Sequence, residues 1–298
     1  MGIVLQQISI LYIFLLLGWF FGHIKKGLDS QTGILSFLVV SLFLPSKVFS
    51  TFSKNFTVSY LKENYKTLIT SVCILIFLHY LGKLLARILT KDGYMKRTYE
   101  YSFTISNYAY MGYALAEGIF GEQGLTDLIV FCIPFSLYTY TVGYVKLTGN
   151  GKSLKRAVNP MTGAILLGIM FGLLEIPLPA VVKTVLSSSA SCVGPITMLL
   201  TGITLSSFAL KVVFTDKMTY AVVLCRLLLI PALIFGICKL LSLDFVLPSV
   251  LFMAAMPTGL NTIVFPKSVG EDPGPGARLA VLSHLLSIAT IPLWISLV

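Results

Sequence analysis

Residues 256–262 read Met256-Pro257-Thr258-Gly259-Leu260-Asn261-Thr262, in the middle of a long apolar run. Proline lacks a backbone donor and its ring clashes with the preceding turn, so a helix through this stretch is expected to break. Glycine two positions on adds conformational freedom at the same place. In hydrocarbon, an interrupted helix is tolerated only where protein or a watery cavity satisfies the freed N–H and C=O groups. The stretch therefore predicts a polar pocket within an apolar helical bundle.

A second polar interruption lies between Phe103 and Gly121, which carries Asn107, Tyr108, Tyr110, Tyr113 and three glycines. Both interruptions fall inside stretches long enough to cross a bilayer, which takes about 20 mostly apolar residues. Ten such spans are read, near 3–22, 31–50, 64–88, 99–120, 124–146, 158–175, 186–210, 218–241, 246–266 and 277–297. With 56% hydrophobic residues, 11% charged and a mean hydropathy of +0.89, the chain is far from a soluble domain, of which roughly a quarter is charged. Long apolar runs rather than short alternating segments exclude a transmembrane β-barrel. The expected fold class is an all-α polytopic membrane protein.

The ten spans divide into two sets of five. Leu17-Gly18-Trp19-Phe20-Phe21-Gly22 in the first matches Leu167-Gly168-Ile169-Met170-Phe171-Gly172 in the sixth, and Pro45 returns as Pro195, both at an offset of 150. Gly121-Glu122-Gln123 after the fourth span resembles Gly270-Glu271-Asp272 after the ninth. An odd number of spans per half turns the second half over in the bilayer. The halves 1–148 and 149–298 are thus expected to be inverted repeats, with a substrate site where they meet, as in secondary transporters. The pairs Gly18/Gly22 and Gly168/Gly172 read as close helix packing.

The formal charge of +10 follows the topology. Connections after odd-numbered spans hold fifteen basic residues, Lys25, Lys26, Lys91, Lys96 and Arg97 among them. Connections after even-numbered spans hold six (Lys47, Lys54, Lys62, Lys66, Lys183 and Lys239), which leaves Arg226 within the eighth span. Basic residues collect on the cytoplasmic side. Both termini are therefore expected outside a plasma or inner membrane, and no nucleic-acid partner is implied. The five cysteines fall within spans at irregular spacing, which supports neither a metal site nor a disulfide framework. Neither HExxH nor GxSxG occurs, so no enzyme activity and no cofactor are expected.

Several motifs in these spans resemble the auxin efflux carrier family. Pro45 lies in a Leu-Pro-x-x-x-Phe context, Asn159-Pro160-Met161-Thr162 opens the sixth span, and Arg226 precedes Pro231 in an Arg-x-x-x-x-Pro pattern. Met256 to Asn261 resembles the family's ninth-helix crossover, and Ile291-Pro292-Leu293 the close of its tenth. In the fourth span Asn107 and Gly112 fit Asn-x-x-x-x-Gly-x-Pro, but Ala114 stands where proline is expected. The third span lacks the carboxylate of plant members and has His79 and Lys83 there instead, which points away from an auxin-like substrate. The resemblance implies an elevator-type transporter related to the bile-acid and Na⁺/H⁺ antiporter folds. It further implies that spans 1, 2, 6 and 7 form a scaffold and homodimer platform, and that spans 3–5 and 8–10 form the moving unit.

Where two broken helices cross, their half-helix N-termini direct partial positive charge at the crossing. An anion can then bind without a full basic partner. Asn107 and Asn261 are the first candidates for the substrate site, since an amide can donate to a carboxylate or bridge unwound backbone. Tyr113 and Thr262 join them, with packing and bonding to their own helix as the alternative roles. Gly112, Pro257 and Gly259 are expected to shape the crossing. His79, Glu117 and Arg226 are the candidates for charge or proton coupling, because ionisable groups at membrane depth are costly. Their structural alternatives are hydrogen-bonded packing, solvation and neutralisation of helix carbonyls. His284, in the tenth span, reads as a packing histidine. The expected function is transport of a small organic anion, auxin-like or dicarboxylate-like, by a protein whose other partner is membrane lipid. The coupling ion, H⁺ or Na⁺, stays open. The alternatives are a coupled carrier of another small solute and a channel-like protein.

Overall fold

The computed structural model describes residues 2–25, 27–28, 32–149, 159–208 and 210–298, without the side chains of 210–212. Lys26, residue 31 and the link from Asn150 to Val158 lie outside the described residues. The described residues are helical, without strands: α1 (Gly2–Ile24), α2 (Thr32–Asn55), α3 (Val58–Leu89), α4 (Gly93–Thr104), α5 (Tyr108–Phe131), α6 (Ile133–Thr148), α7 (Pro160–Leu173), α8 (Ala180–Ser206), α9 (Leu210–Thr215), α10 (Lys217–Leu240), α11 (Leu247–Ala255), α12 (Asn261–Ser268) and α13 (Gly274–Ile295). Six of them, α1, α2, α3, α8, α10 and α13, are long and apolar enough to cross a membrane, and α5 and α6 pass together as a pair bent by 49°.

Several boundaries differ from expectation, and some of the shifts move basic residues out of the connections. The third span begins at Val58 rather than near 64, because the Thr57 side chain caps the helix by accepting from the Tyr60 N–H at 3.2 Å. Lys62 and Lys66 therefore lie inside α3 rather than in a connection. Lys47 likewise lies inside α2 and is only 4% exposed, so it does not belong to the loop charges.

The predicted ninth-span break is present between α11 and α12. Met256 is extended (φ −65°, ψ 147°), the conformation that a following proline enforces. The fourth span is broken too, between α4 and α5, although no proline or glycine occupies Ile105–Asn107. Pro45 and Pro231 each follow a π turn by two residues, at Val39–Phe43 and Cys225–Leu229. A proline cannot donate to the carbonyl one turn earlier, so the turn before it widens. The π turn Tyr108–Gly112 opens α5 at the same offset before Ala114. The widening exists there without the proline.

Small residues set the helix pairings. α1 packs on α8 and α7 packs on α2, the same pairing with the two halves exchanged. A side chain at Gly18 would strike the Leu199 backbone, and one at Gly202 the backbone of Leu15 and Trp19. On the other pair, Gly168 lies against Phe49 and Phe52, and Gly172 against the carbonyls of Phe52 and Phe56. At one end of the bundle Arg97 pairs with Glu271 (3.4 Å), Arg278 with Asp216 (3.5 Å), and Tyr94 donates to the Asp272 carbonyl (2.5 Å). At the opposite end Lys54 pairs with Glu122, and Asn55 donates to Thr126 (2.9 Å). The look-alike loops therefore sit at opposite ends, each turning on a glycine with positive φ, Gly121 at +69° and Gly270 at +79°.

Candidate functional site

The two interruptions meet. Ser106 and Thr258 form an antiparallel β-bridge, and the Asn107 N–H donates to the Pro257 carbonyl at 2.8 Å. Ser106 Oγ donates to the Met253 carbonyl (2.8 Å), and the Thr258 N–H donates to Ser283 Oγ of α13 (3.0 Å). Backbone groups freed from helical pairing thus find partners across the crossing, as burial in an apolar bundle requires. Gly259 makes the approach possible, since a Cβ there would lie 3.1 Å from the Ser106 carbonyl oxygen.

Beside the bridge is a cleft of about 20 Å³, lined by Ser106, Asn107, Tyr110, Tyr140, Gly259 and Asn261 among others. That volume is about the space one water molecule requires, so the cleft is closed to larger solutes in this conformation. None of its lining residues carries a charged side chain. α5 and α12 both begin at the crossing, so their first-turn N–H groups and helix dipoles favour negative charge there.

Asn107 and Asn261, the leading sequence candidates, both line the cleft. Asn261 Nδ2 donates to the Tyr101 hydroxyl (3.1 Å), while Asn107 Nδ2 lies 3.0 Å from His284 Nε2 and its Oδ1 has no partner. Tyr113 and Thr262 do not line it. Tyr113 is buried with its ring edge-on to Tyr108 (5.8 Å), and Thr262 Oγ1 donates to the Gly259 carbonyl (2.8 Å). Gly112 faces Met256, and Pro257 supplies the carbonyl that Asn107 uses.

The three coupling candidates stand apart from the cleft lining. His79 Nδ1 is 2.9 Å from the Tyr138 hydroxyl, on the contact between α3 and α6. Arg226 is fully buried, and its Nη2 donates to the Met253 carbonyl (3.5 Å), near the C-terminal end of α11. A cation there complements the negative end of the helix dipole, which is the carbonyl-neutralising role. Glu117 pairs with Lys47 of α2 at 2.5 Å. The Lys47 side chain is 5% exposed and that of Glu117 47%, so the two ends of this pair differ in what their loss leaves behind. Glu117→Gln strands a buried ammonium and is expected to destabilise the protein by about 2 kcal/mol, whereas Lys47→Met leaves a hydrated carboxylate and costs under about 1 kcal/mol. Thermal unfolding of the two variants in detergent checks the asymmetry, and equal losses would contradict it.

Sequence reasoning does not reach the partners of the two asparagines. Tyr101 and His284 are 160 and 177 positions away from them, and no local signal connects them.

Interrupted helices that meet at an uncharged polar cleft inside an apolar bundle define a multi-pass helical protein of the membrane transporter class. The profile of the family described as membrane transport protein matches residues 3–157 and 151–295. The chain belongs to that family, the auxin efflux carriers. It is 26% identical to an uncharacterized transporter of Methanocaldococcus jannaschii over 305 aligned positions, covering 97% of each chain. An uncharacterized transporter of Methanothermobacter thermautotrophicus is 28% identical over 194 positions, covering 63% of each.

Proposed function

We propose that this protein is a secondary carrier of a small organic anion, working by elevator-type alternating access. The observation that carries the reading is the cleft itself, where two broken helices from different halves of the chain present Asn107 and Asn261. A neutral lining with converging helix N-termini suits a carboxylate better than a cation.

The packing supports the mechanical division. α1 with α8 and α2 with α7 form two glycine-mediated pairs, which suit a rigid scaffold of spans 1, 2, 6 and 7. α4, α5, α11, α12 and α13 meet at the crossing, and with the helices packed on them they suit a unit that moves with its substrate. In this reading ten spans form two inverted repeats, with both termini outside. Export of an anion travelling without a cation would then be favoured by an inside-negative potential, by about 2.3 kcal/mol per charge per 100 mV.

The channel alternative differs in that a carrier isolates its site from at least one side. Counterflow in proteoliposomes tests the difference. Liposomes preloaded with an unlabelled mono- or dicarboxylate are expected to accumulate the labelled anion transiently above equilibrium. Simple equilibration at the same rate with and without preload would indicate a pore, and no flux of any carboxylate would remove the proposed substrate class.

A further inference from the structure

His284 deserves a role that its sequence context does not supply. It is 1% exposed, on α13, and its Nδ1 lies 2.7 Å from the Ala280 carbonyl. A carbonyl only accepts, so Nδ1 carries the hydrogen. In the neutral ring Nε2 is then an acceptor, and the contact at 3.0 Å must be donated by Asn107 Nδ2. This leaves Asn107 Oδ1 as the end of the amide without a partner, although Asn107 lines the cleft. In that state the residue best placed to hold a carboxylate has one of its two N–H donors on the histidine, and the free end of its amide is an acceptor. An anion meets the wrong end of the amide.

A proton on Nε2 reverses the arrangement. The imidazolium donates from both nitrogens, so Asn107 must turn its amide over and accept with Oδ1. The free end of the amide is then Nδ2, with both N–H groups available to an anion. We infer that His284 is the proton site of this carrier and acts by positioning Asn107, so that a proton and an organic anion bind together. The inference rests on the proposed carrier function. The proton comes from the aqueous phase as the cleft opens, and the protein breaks no covalent bond other than N–H. An isolated buried imidazolium is costly, and the incoming carboxylate offsets that cost. One proton per monocarboxylate makes the loaded site neutral overall, so the membrane potential does not act on its net charge.

The surroundings leave the histidine to this single equilibrium. From α1, the Tyr12 hydroxyl donates to the His284 carbonyl (2.5 Å) and touches Ser287. Leu205 of α8 and Phe214 of α9 share an apolar groove with it. Most charged groups on the packed helices are engaged elsewhere: Asp216 with Arg278, Glu100 with Lys146 and Arg97 with Glu271, while Arg226 reaches the Met253 carbonyl with Nη2 and keeps Nε and Nη1 without hydrogen-bond partners. No charged side chain among the described residues contacts the ring.

The test uses the full chain in lipid nanodiscs, with acetate, benzoate, oxalate and malate as probes at and above about pH 6, where their carboxylates are largely ionised. Binding of at least one is expected to strengthen by about tenfold per pH unit on acidification from about pH 7 to about pH 6, as one linked proton requires. His284→Gln, which stays neutral, is expected to bind with no pH dependence. Histidine ¹⁵N NMR of the wild type, with His23 and His79 assigned by substitution, is expected to show the neutral Nδ1–H tautomer at His284 before ligand and the imidazolium after it. The Nε2–H tautomer, or binding by the wild type that ignores pH, overturns the proton role and leaves the carrier reading standing. Failure of all four anions to bind overturns both.

Discussion

Asn261→Ala is expected to weaken binding of the transported anion by roughly 10- to 100-fold, the cost of one hydrogen bond to a charged group. The effect is local because Asn261 lines the cleft and its amide is held by a bond from Nδ2 to the Tyr101 hydroxyl. That bond also supplies the control. Tyr101→Phe removes the amide's protein partner but keeps the amide, so binding is expected to hold or improve while stability falls by about 1 kcal/mol. If Asn261 serves only to satisfy Tyr101, both variants lose stability alike and neither changes affinity. Isothermal titration of an anion that shows counterflow, together with thermal unfolding, separates the cases.

Gly202→Val is expected to have the largest effect on folding. A Cβ at Gly202 would occupy the space of the Leu15 carbonyl and the Trp19 N–H on α1. Those are backbone atoms of a long helix, which cannot rotate aside as a side chain would. Overpacking commonly costs 1–3 kcal/mol where neighbours can adjust, and here about 3 kcal/mol or more is expected. The α1–α8 contact would have to separate along its length. Gly163 of α7 and Gly236 of α10 provide the comparison, since nothing lies within 4 Å of a Cβ at either. Alanine at those positions is expected to be neutral or stabilising by up to about 1 kcal/mol, from helix propensity alone. Size-exclusion profiles and melting temperatures of the three variants would show it, and a monodisperse Gly202→Val protein with wild-type stability would contradict the packing.

Both glycine contacts and asparagine positions trace back to residues visible in the sequence, but to different extents. Gly18, Gly22, Gly168 and Gly172 stand out by spacing, and each lies against a neighbouring helix. Their partners do not stand out. Nothing in the first span says that it packs on α8 rather than on α2. Asn107 and Asn261 are legible because amides are rare company in apolar spans. Tyr113 and Thr262 occupy the same two stretches and miss the cleft, because the rotation of each half-helix decides which side chains point inward. His284 reads as an isolated packing residue until α13 is laid against the crossing. Glu117 carries a charge in the sequence, while its tie to Lys47 across 70 positions is a product of packing.

By itself the sequence determines an apolar helical bundle, the location of its polar interruptions and the break before α12. Pro257 lacks a donor and Gly259 lacks a Cβ, and these covalent facts act wherever the chain folds. The break between α4 and α5 is decided only in three dimensions. Ile105, Ser106 and Asn107 contain nothing that forbids a helix, and Ala114 replaces the proline that would widen the next turn. What holds that segment open is the bridge from Ser106 to Thr258 and the bond from Asn107 to the Pro257 carbonyl. One strand of the crossing is broken by its own chemistry, and the other is held open by hydrogen bonds that its partner offers.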